Sequence, residues 1–212
     1  LYSIRSIQGL HVEIDLLIKD RMVKVEQANA MIDHLNVIAR ALRNLVIDEN
    51  KDHQAEETRR ITEARKAISD LLETLSQTVT SDAGVALMRK VKELRQTYIR
   101  HTDAYMELVK NEQTLKAKML LLSDIREVQR NYLNSMEDFI NLQTEMAKKT
   151  GNDAADDAKA AMRLITILLI TALALSVVLA VFIVRSITRP VGMAAALADT
   201  MAKGDFTSKL EL

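Results

Sequence analysis

Arginine, tyrosine and threonine recur at helical offsets through the middle of this chain, and together these side chains could recognise a carboxylate. In chain order they are Arg40, Arg43, Arg65, then Arg95, Tyr98, Thr102 and Tyr105, and finally Arg126 and Arg130. A guanidinium presents a planar fork of N–H donors that pairs with both oxygens of a carboxylate. Tyr98, Thr102 and Tyr105 fall on an otherwise aliphatic stripe, where polar tips need partners. The candidate ligand-binding residues are Arg95, Tyr98, Thr102, Arg40, Arg43, Arg126, Arg130 and Tyr105, and the ligand they suit is a small organic anion. The competing reading pairs these arginines with surface Glu and Asp, where ion pairs contribute little.

No other chemistry stands out. His11, His34, His53 and His101 lack metal-ligand spacing, and the chain has no cysteine. His11 lies on an apolar stripe and reads as a packed histidine. Glu56-Glu57 and Asp156-Asp157 are neighbours about 100° apart on a helix, hence solvated surface. The ten methionines suit core filling. These observations imply a binding protein rather than an enzyme, with no cofactor and no metal. Lys plus Arg and Asp plus Glu number 29 each, so no basic face argues for nucleic acid.

The elements that hold these residues are helices. Five glycines and one proline in 212 residues leave few helix breakers. The first stripe reads Ile4, Ile7, His11, Ile14, Ile18, Val25, Ala28, Ile32, Leu35, Ala39, Leu42 and Val46, an a/d seam. It breaks at Asp48–His53. A second carries Ile61, Ala64, Ile68, Leu71, Leu75 and Val79, and stops at Thr80–Gly84, which has the composition of a helix stop and a new cap. The third carries Leu87, Val91, Leu94, Tyr98, Thr102, Tyr105 and Leu108, followed by a polar turn at Lys110–Thr114. The fourth carries Leu122, Ile125, Tyr132, Met136, Phe139, Gln143 and Met146. Short connections predict an all-α, antiparallel up-down four-helix bundle over residues 1–163; an extended coiled coil is the alternative. Counting roughly 15–20 Å down from the distal turns at 1.5 Å per residue brings the arginines of all four helices and Tyr98 into one region.

Residues 164–184, LITILLITALALSVVLAVFIV, carry no charge and span roughly 32 Å as a helix, enough to cross a bilayer core. Arg163 and Arg185 bracket them as interfacial anchors would. A buried core helix is the alternative. The stretch Lys148–Ala160, with Gly151, reads as a locally weakened part of a helix running on into this segment. Helix four enters the membrane, so helix one should emerge from it, and a first span is expected upstream. Pro190 follows the apolar run and should interrupt its hydrogen-bond ladder, starting a short amphipathic helix with Ile187, Val191, Ala194, Leu197 and Met201 that ends at Gly204-Asp205.

Arg185-x-Ile187-x-Arg189-Pro190-Val191, with Gly204-Asp205 about a dozen residues on, resembles the opening of a HAMP domain over residues 185–212. Residues 1–163 resemble the four-helix-bundle sensor of methyl-accepting chemotaxis proteins, with NVIARALRNLVIDEN, residues 36–50, similar to the distal end of its first helix. The resemblance implies a transmembrane chemoreceptor of the bacterial inner membrane, with residues 1–163 periplasmic and 185–212 cytoplasmic; the count of flanking cations alone does not orient the span. It also implies a homodimer, with Val37 and Leu45 as candidate exposed apolar positions, contact with membrane lipid, and a cytoplasmic kinase and adaptor reached through a downstream region. Related receptors bind amino acids or organic acids, including tricarboxylic-acid-cycle carboxylates, in the distal half. A histidine kinase or nucleotide cyclase could carry the same front end. A ligand-free membrane coiled coil, or a receptor read through a binding protein docked on the polar tip at residues 48–57, are further readings.

Overall fold

The computed structural model describes residues 2–204, with side chains from Gln8 onward. Ile4 and Ile7 of the first seam, and Asp205 with the rest of the connector, lie outside the described side chains and residues. Every regular element described is helical. The chain divides into two compact units, Gly9–Ala155 and a second formed by Leu1–Gln8 with Asp156–Leu212.

Helix α1 comprises Tyr2–Leu16, a π-helical stretch Leu17–Met22, and Val23–Ile47. Helix α2 is Lys51–Thr78 and α3 is Asp82–Lys110. Helix α4 comprises Thr114–Leu120, π-helical Leu121–Ile125, and Arg126–Ile183. The three expected turns are the three observed ones, and each has a local cause. Asn50 caps α2, its side chain accepting from the amides of Asp52 (2.9 Å) and His53 (3.3 Å). Gln54 Nε2 closes the end of α1 by donating to the Leu45 (3.2 Å) and Asp48 (2.9 Å) carbonyls. Ser81 caps α3 by accepting from the Gly84 amide at 3.3 Å. A Cβ on Gly84 would lie 2.7 Å from Val79 Cγ1 and 2.8 Å from Ser81 Oγ, so glycine is required there. At the α3–α4 turn Glu112 takes the left-handed conformation, φ 57°. The Gln113 amide bonds the Leu108 carbonyl (2.9 Å) and the Glu112 amide the Val109 carbonyl (3.0 Å), a Schellman closure.

The bundle core is continuous. Met31, Leu35, Ile38, Leu42 and Leu45 of α1 join Ile61, Ala64, Ile68, Leu72 and Leu75 of α2, Met88 and Val91 of α3, and Ile125, Met136 and Phe139 of α4. The seam of α1 differs from the expected stripe. Ala28, Leu35, Ala39 and Leu42 are buried as expected, but Met31, Ile38 and Leu45 are buried where Ile32 and Val46 are only partly so. A bundle helix meets two neighbours and buries a broader face than an a/d seam. Leu45, expected on an exposed dimer face, is 3% exposed, and Val37 packs against the core. His11 is exposed rather than packed, as are Ile14 and Ile18 of the same stripe. Leu122 is exposed because the π-helical stretch carries one extra residue per turn and brings Leu121 against the core instead.

Arg126–Ile183 is helical through Gly151 without a break. Its apolar stretch is long enough to cross a membrane, reaches a mean hydropathy of 3.1, and has none of its residues buried in the protein. Beyond it, π-helical Val184–Thr188 leads into helix α5, Arg189–Ala202, with Pro190 in its first turn. The expected interruption at the proline is therefore a run of wider turns rather than a break: the ring cannot donate, and the π-helical stretch absorbs the missing bond. Gly204, at φ +93°, ends α5, its amide bonding the Met201 carbonyl at 3.0 Å.

Candidate functional site

Tyr98, Thr102 and Tyr105 occupy successive inward positions of α3 and are all buried. Each meets a different fate. The Tyr105 hydroxyl donates to the Leu42 carbonyl of α1, tying α3 to α1. The Thr102 hydroxyl donates to the Tyr98 (2.9 Å) and Ile99 (3.0 Å) carbonyls of its own helix, and accepts from Arg65 Nη2 of α2. Tyr98 packs its ring against Tyr132 of α4, centroids 6.0 Å apart and planes inclined at 44°. Both of their hydroxyls are buried without a hydrogen-bond partner among the described residues.

Guanidinium groups surround this ring pair. Burial pushes the Tyr98 hydroxyl above the ordinary tyrosine range; Arg65 and, more weakly, Arg43 oppose it, while Tyr132 adds to it. Burial raises Tyr132 as well, with Arg95 opposing. Arg65 is held by Asp103 of α3 at 2.7 Å, leaving its Nε buried and unpaired. Arg95 crosses to α2, where its Nη2 donates to Ser69 Oγ (2.5 Å) and to the Arg65 carbonyl (3.3 Å). One connected set thus runs Asp103–Arg65–Arg95–Ser69 between α2 and α3, beside the tyrosine pair that joins α3 to α4.

The eight residues singled out from sequence divide into three groups. Tyr98, Thr102 and Tyr105 are core. Arg95 is half-buried and lines an open groove of about 410 Å³ between α2 and α3, with Ser69, Leu72, Glu73, Ser76, Gln77, Lys92 and Gln96. Arg40, Arg43, Arg126 and Arg130 are exposed, and none lines this groove; Arg43 Nε donates to the Ala39 carbonyl one turn back, at 3.0 Å. Sequence reasoning missed the α2 wall of the groove and Lys92. Lys92 sits one turn before Arg95, and Ser69 and Ser76 are two turns apart on α2, so an antiparallel register would have brought them together.

A second polar layer was also missed. Lys24 of α1 is buried, with Asp20 one turn back at 2.5 Å. Gln143 of α4 is buried, accepts from Arg21 at 3.5 Å, and approaches Gly84 of α3. Gln143 was read as a seam residue, but nothing in the periodicity distinguishes Lys24 from a solvated lysine.

Residues 1–158 match the model of a family described as a four helix bundle sensory module for signal transduction. Over 128 residues the chain is 30% identical to a protein of Acetivibrio thermocellus named "Putative sensory transducer protein". That alignment covers 60% of this chain and 23% of the relative, so the chain spans under a quarter of that relative's length. The four helices, their shared core and the family match over residues 1–158 agree: the chain belongs to the four-helix-bundle sensory modules of chemoreceptors.

Proposed function

We propose that this chain is the front end of a transmembrane chemoreceptor that senses a small organic acid: a di- or tricarboxylate such as a tricarboxylic-acid-cycle intermediate, or an amino acid. Residues 1–163 form the sensor, 164–184 the span and 185–212 the start of a HAMP domain. The sensor lies in the periplasm and the C-terminal helix in the cytoplasm, across the inner membrane. The receptor works as a homodimer and addresses a cytoplasmic kinase and adaptor through a downstream region.

The observation that carries this reading is the state of Arg95. Both of its hydrogen bonds use Nη2. Nη1 and Nε have no hydrogen-bond partner among the described residues and are not among the buried unsatisfied atoms, so they are available donors of a residue that lines the groove. Lys92 in the same groove forms no ion pair among the described residues. A carboxylate seated there gains a charge-assisted pair from Arg95 and a second cation from Lys92. Glu73, lining the same groove, would meet an α-ammonium, which keeps amino acids within the class.

Signalling follows from what Arg95 leaves. A ligand that draws Arg95 from Ser69 and the Arg65 carbonyl changes the field on Tyr132, whose hydroxyl is unpartnered, and Tyr132 belongs to the helix that continues into the apolar segment. The available coupling is the ligand's differential affinity for two packings, about 1–3 kcal/mol. The test is a thermal-shift screen of the full chain in detergent against carboxylates and amino acids. A ligand at a hundredfold excess over its Kd adds about 2.7 kcal/mol to stability, a shift of roughly 5–10 °C for a chain of this size. No shift across both classes would overturn direct sensing of these acids.

A further inference from the structure

The groove that holds Arg95 does not end at Lys92. A second cavity of about 200 Å³ continues it toward the α2–α3 turn, and Ser76 and Lys92 line both. The floor of this continuation is apolar, since Val79 and Met88 are buried there. Its one charged residue besides Lys92 is Arg89.

Arg89, Lys92 and Arg95 follow one another at three-residue steps on α3. Each therefore neighbours the next on the helix surface, and the row advances about 9 Å along the axis. None of the three forms an ion pair among the described residues, although Glu93 stands one turn on from Arg89. Against these three cations the two linings set a single carboxylate, Glu73. Two positive charges are thus left without compensation, at opposite ends of one continuous groove.

We propose that the groove takes an α,ω-dicarboxylate, with one carboxylate on Arg95 and the other on Arg89. Lys92, which lines both cavities, stands between them, and the methylenes lie over Leu72 and Met88. The inference rests on the anion reading at Arg95 and narrows it. A monocarboxylate leaves Arg89 unused, and an ammonium at the far end meets Arg89 as a like charge.

Three five-carbon probes that differ only at one end test it: glutarate, valerate and δ-aminovalerate, titrated calorimetrically into the full chain in lipid nanodiscs. Glutarate should bind about tenfold more tightly than valerate, the increment of one charge-assisted pair, and δ-aminovalerate more weakly than either. Arg89→Gln, at an exposed position, should bring glutarate down to the affinity of valerate and leave valerate unchanged. Equal binding of glutarate and valerate, or glutarate binding that Arg89→Gln does not alter, would overturn the second subsite; weakening by Arg95→Ala in the same titrations would leave the first reading standing. Glutarate binding that neither variant weakens would overturn both, and glutarate that does not bind would overturn the dicarboxylate assignment.

Discussion

Three buried tyrosines of the bundle core differ in what their hydroxyls touch, and Tyr→Phe at each position isolates that difference. Tyr105 donates to the Leu42 carbonyl, whereas Tyr98 and Tyr132 donate to no group among the described residues. All three are at most 1% exposed, so the lost oxygen is replaced by no water in either variant. A typical buried hydrogen bond contributes about 1 kcal/mol net, and a buried hydroxyl without a partner costs about 1–3 kcal/mol. Tyr105→Phe should therefore destabilise by about 1 kcal/mol. Tyr98→Phe and Tyr132→Phe should each stabilise by about the same amount or more. For a chain of this size 1 kcal/mol moves Tm by roughly 2–4 °C, so the two kinds of variant should separate by several degrees, with opposite sign. Thermal unfolding in detergent, followed by circular dichroism, reads this directly. The ring pair at 6.0 Å is close enough to couple, so the Tyr98→Phe, Tyr132→Phe double variant should be measured as a cycle. Destabilisation by Tyr98→Phe equal to that by Tyr105→Phe would refute the reasoning, because it would show that the Tyr98 hydroxyl has a partner in solution.

Other consequences follow from single residues. Burial raises the hydroxyl pKa of Tyr98, Tyr105 and Tyr132. An acid weakened by folding contributes stability that is complete below its unfolded pKa of about 10 and is lost as pH rises above it; denaturation should therefore set in steeply above that pH, and the native ultraviolet titration should lack these three phenols. Glu112→Gly should raise Tm by roughly 2–4 °C, since a left-handed residue with a side chain costs about 1–2 kcal/mol, of which the greater unfolded-state entropy of glycine takes back about 0.4–1 kcal/mol, and the ion pair lost, Lys51–Glu112, is exposed. Gly84→Ala should lower Tm by at least as much, because the new methyl meets Val79 and displaces Ser81 from its cap, which is worth about 1 kcal/mol.

The helices and turns were legible because they are carried by local chemistry. Asn50 and Ser81 are cap-forming residues in the polar stretches that separate the seams, and most seam positions of α2 and α3 are buried, among them Ile61, Ala64, Ile68, Leu75, Val91 and Tyr98. Some errors lie beside the π-helical stretches Leu17–Met22 and Leu121–Ile125; others are shifts of one position on a broad buried face, with Met31, Leu45, Leu72 and Met88 buried where Ile32, Val46, Leu71 and Leu87 are only partly so. An extra residue in a turn shifts the inward position by one, which is how Leu121 came inward and Leu122 outward. Hydrophobic period alone carries no mark of such a turn. Of the candidate site, the polar seam of α3 was readable, since Tyr98, Thr102 and Tyr105 interrupt an aliphatic pattern. Which arginines meet it was not, because that depends on the rotation of each helix about its axis. Arg40 and Arg126 lie at the right depth but face outward, whereas Arg65 and Arg95 point across the α2–α3 interface. The groove's α2 wall, Ser69 and Ser76, consists of residues that look like ordinary surface until the partner helix is in place.

The most direct measurement is calorimetric titration of the full chain with the di- and tricarboxylates and amino acids, repeated with Arg95→Ala and with Lys92→Ala. Lys92 is exposed, so its variant tests the groove without disturbing the α2–α3 contacts that Arg95 makes. The account expects saturable binding, weakened about tenfold or more by Arg95→Ala and measurably by Lys92→Ala, in line with the loss of charged hydrogen bonds. Binding of an acid that is unchanged in both variants would contradict it, placing the anion site elsewhere on the bundle.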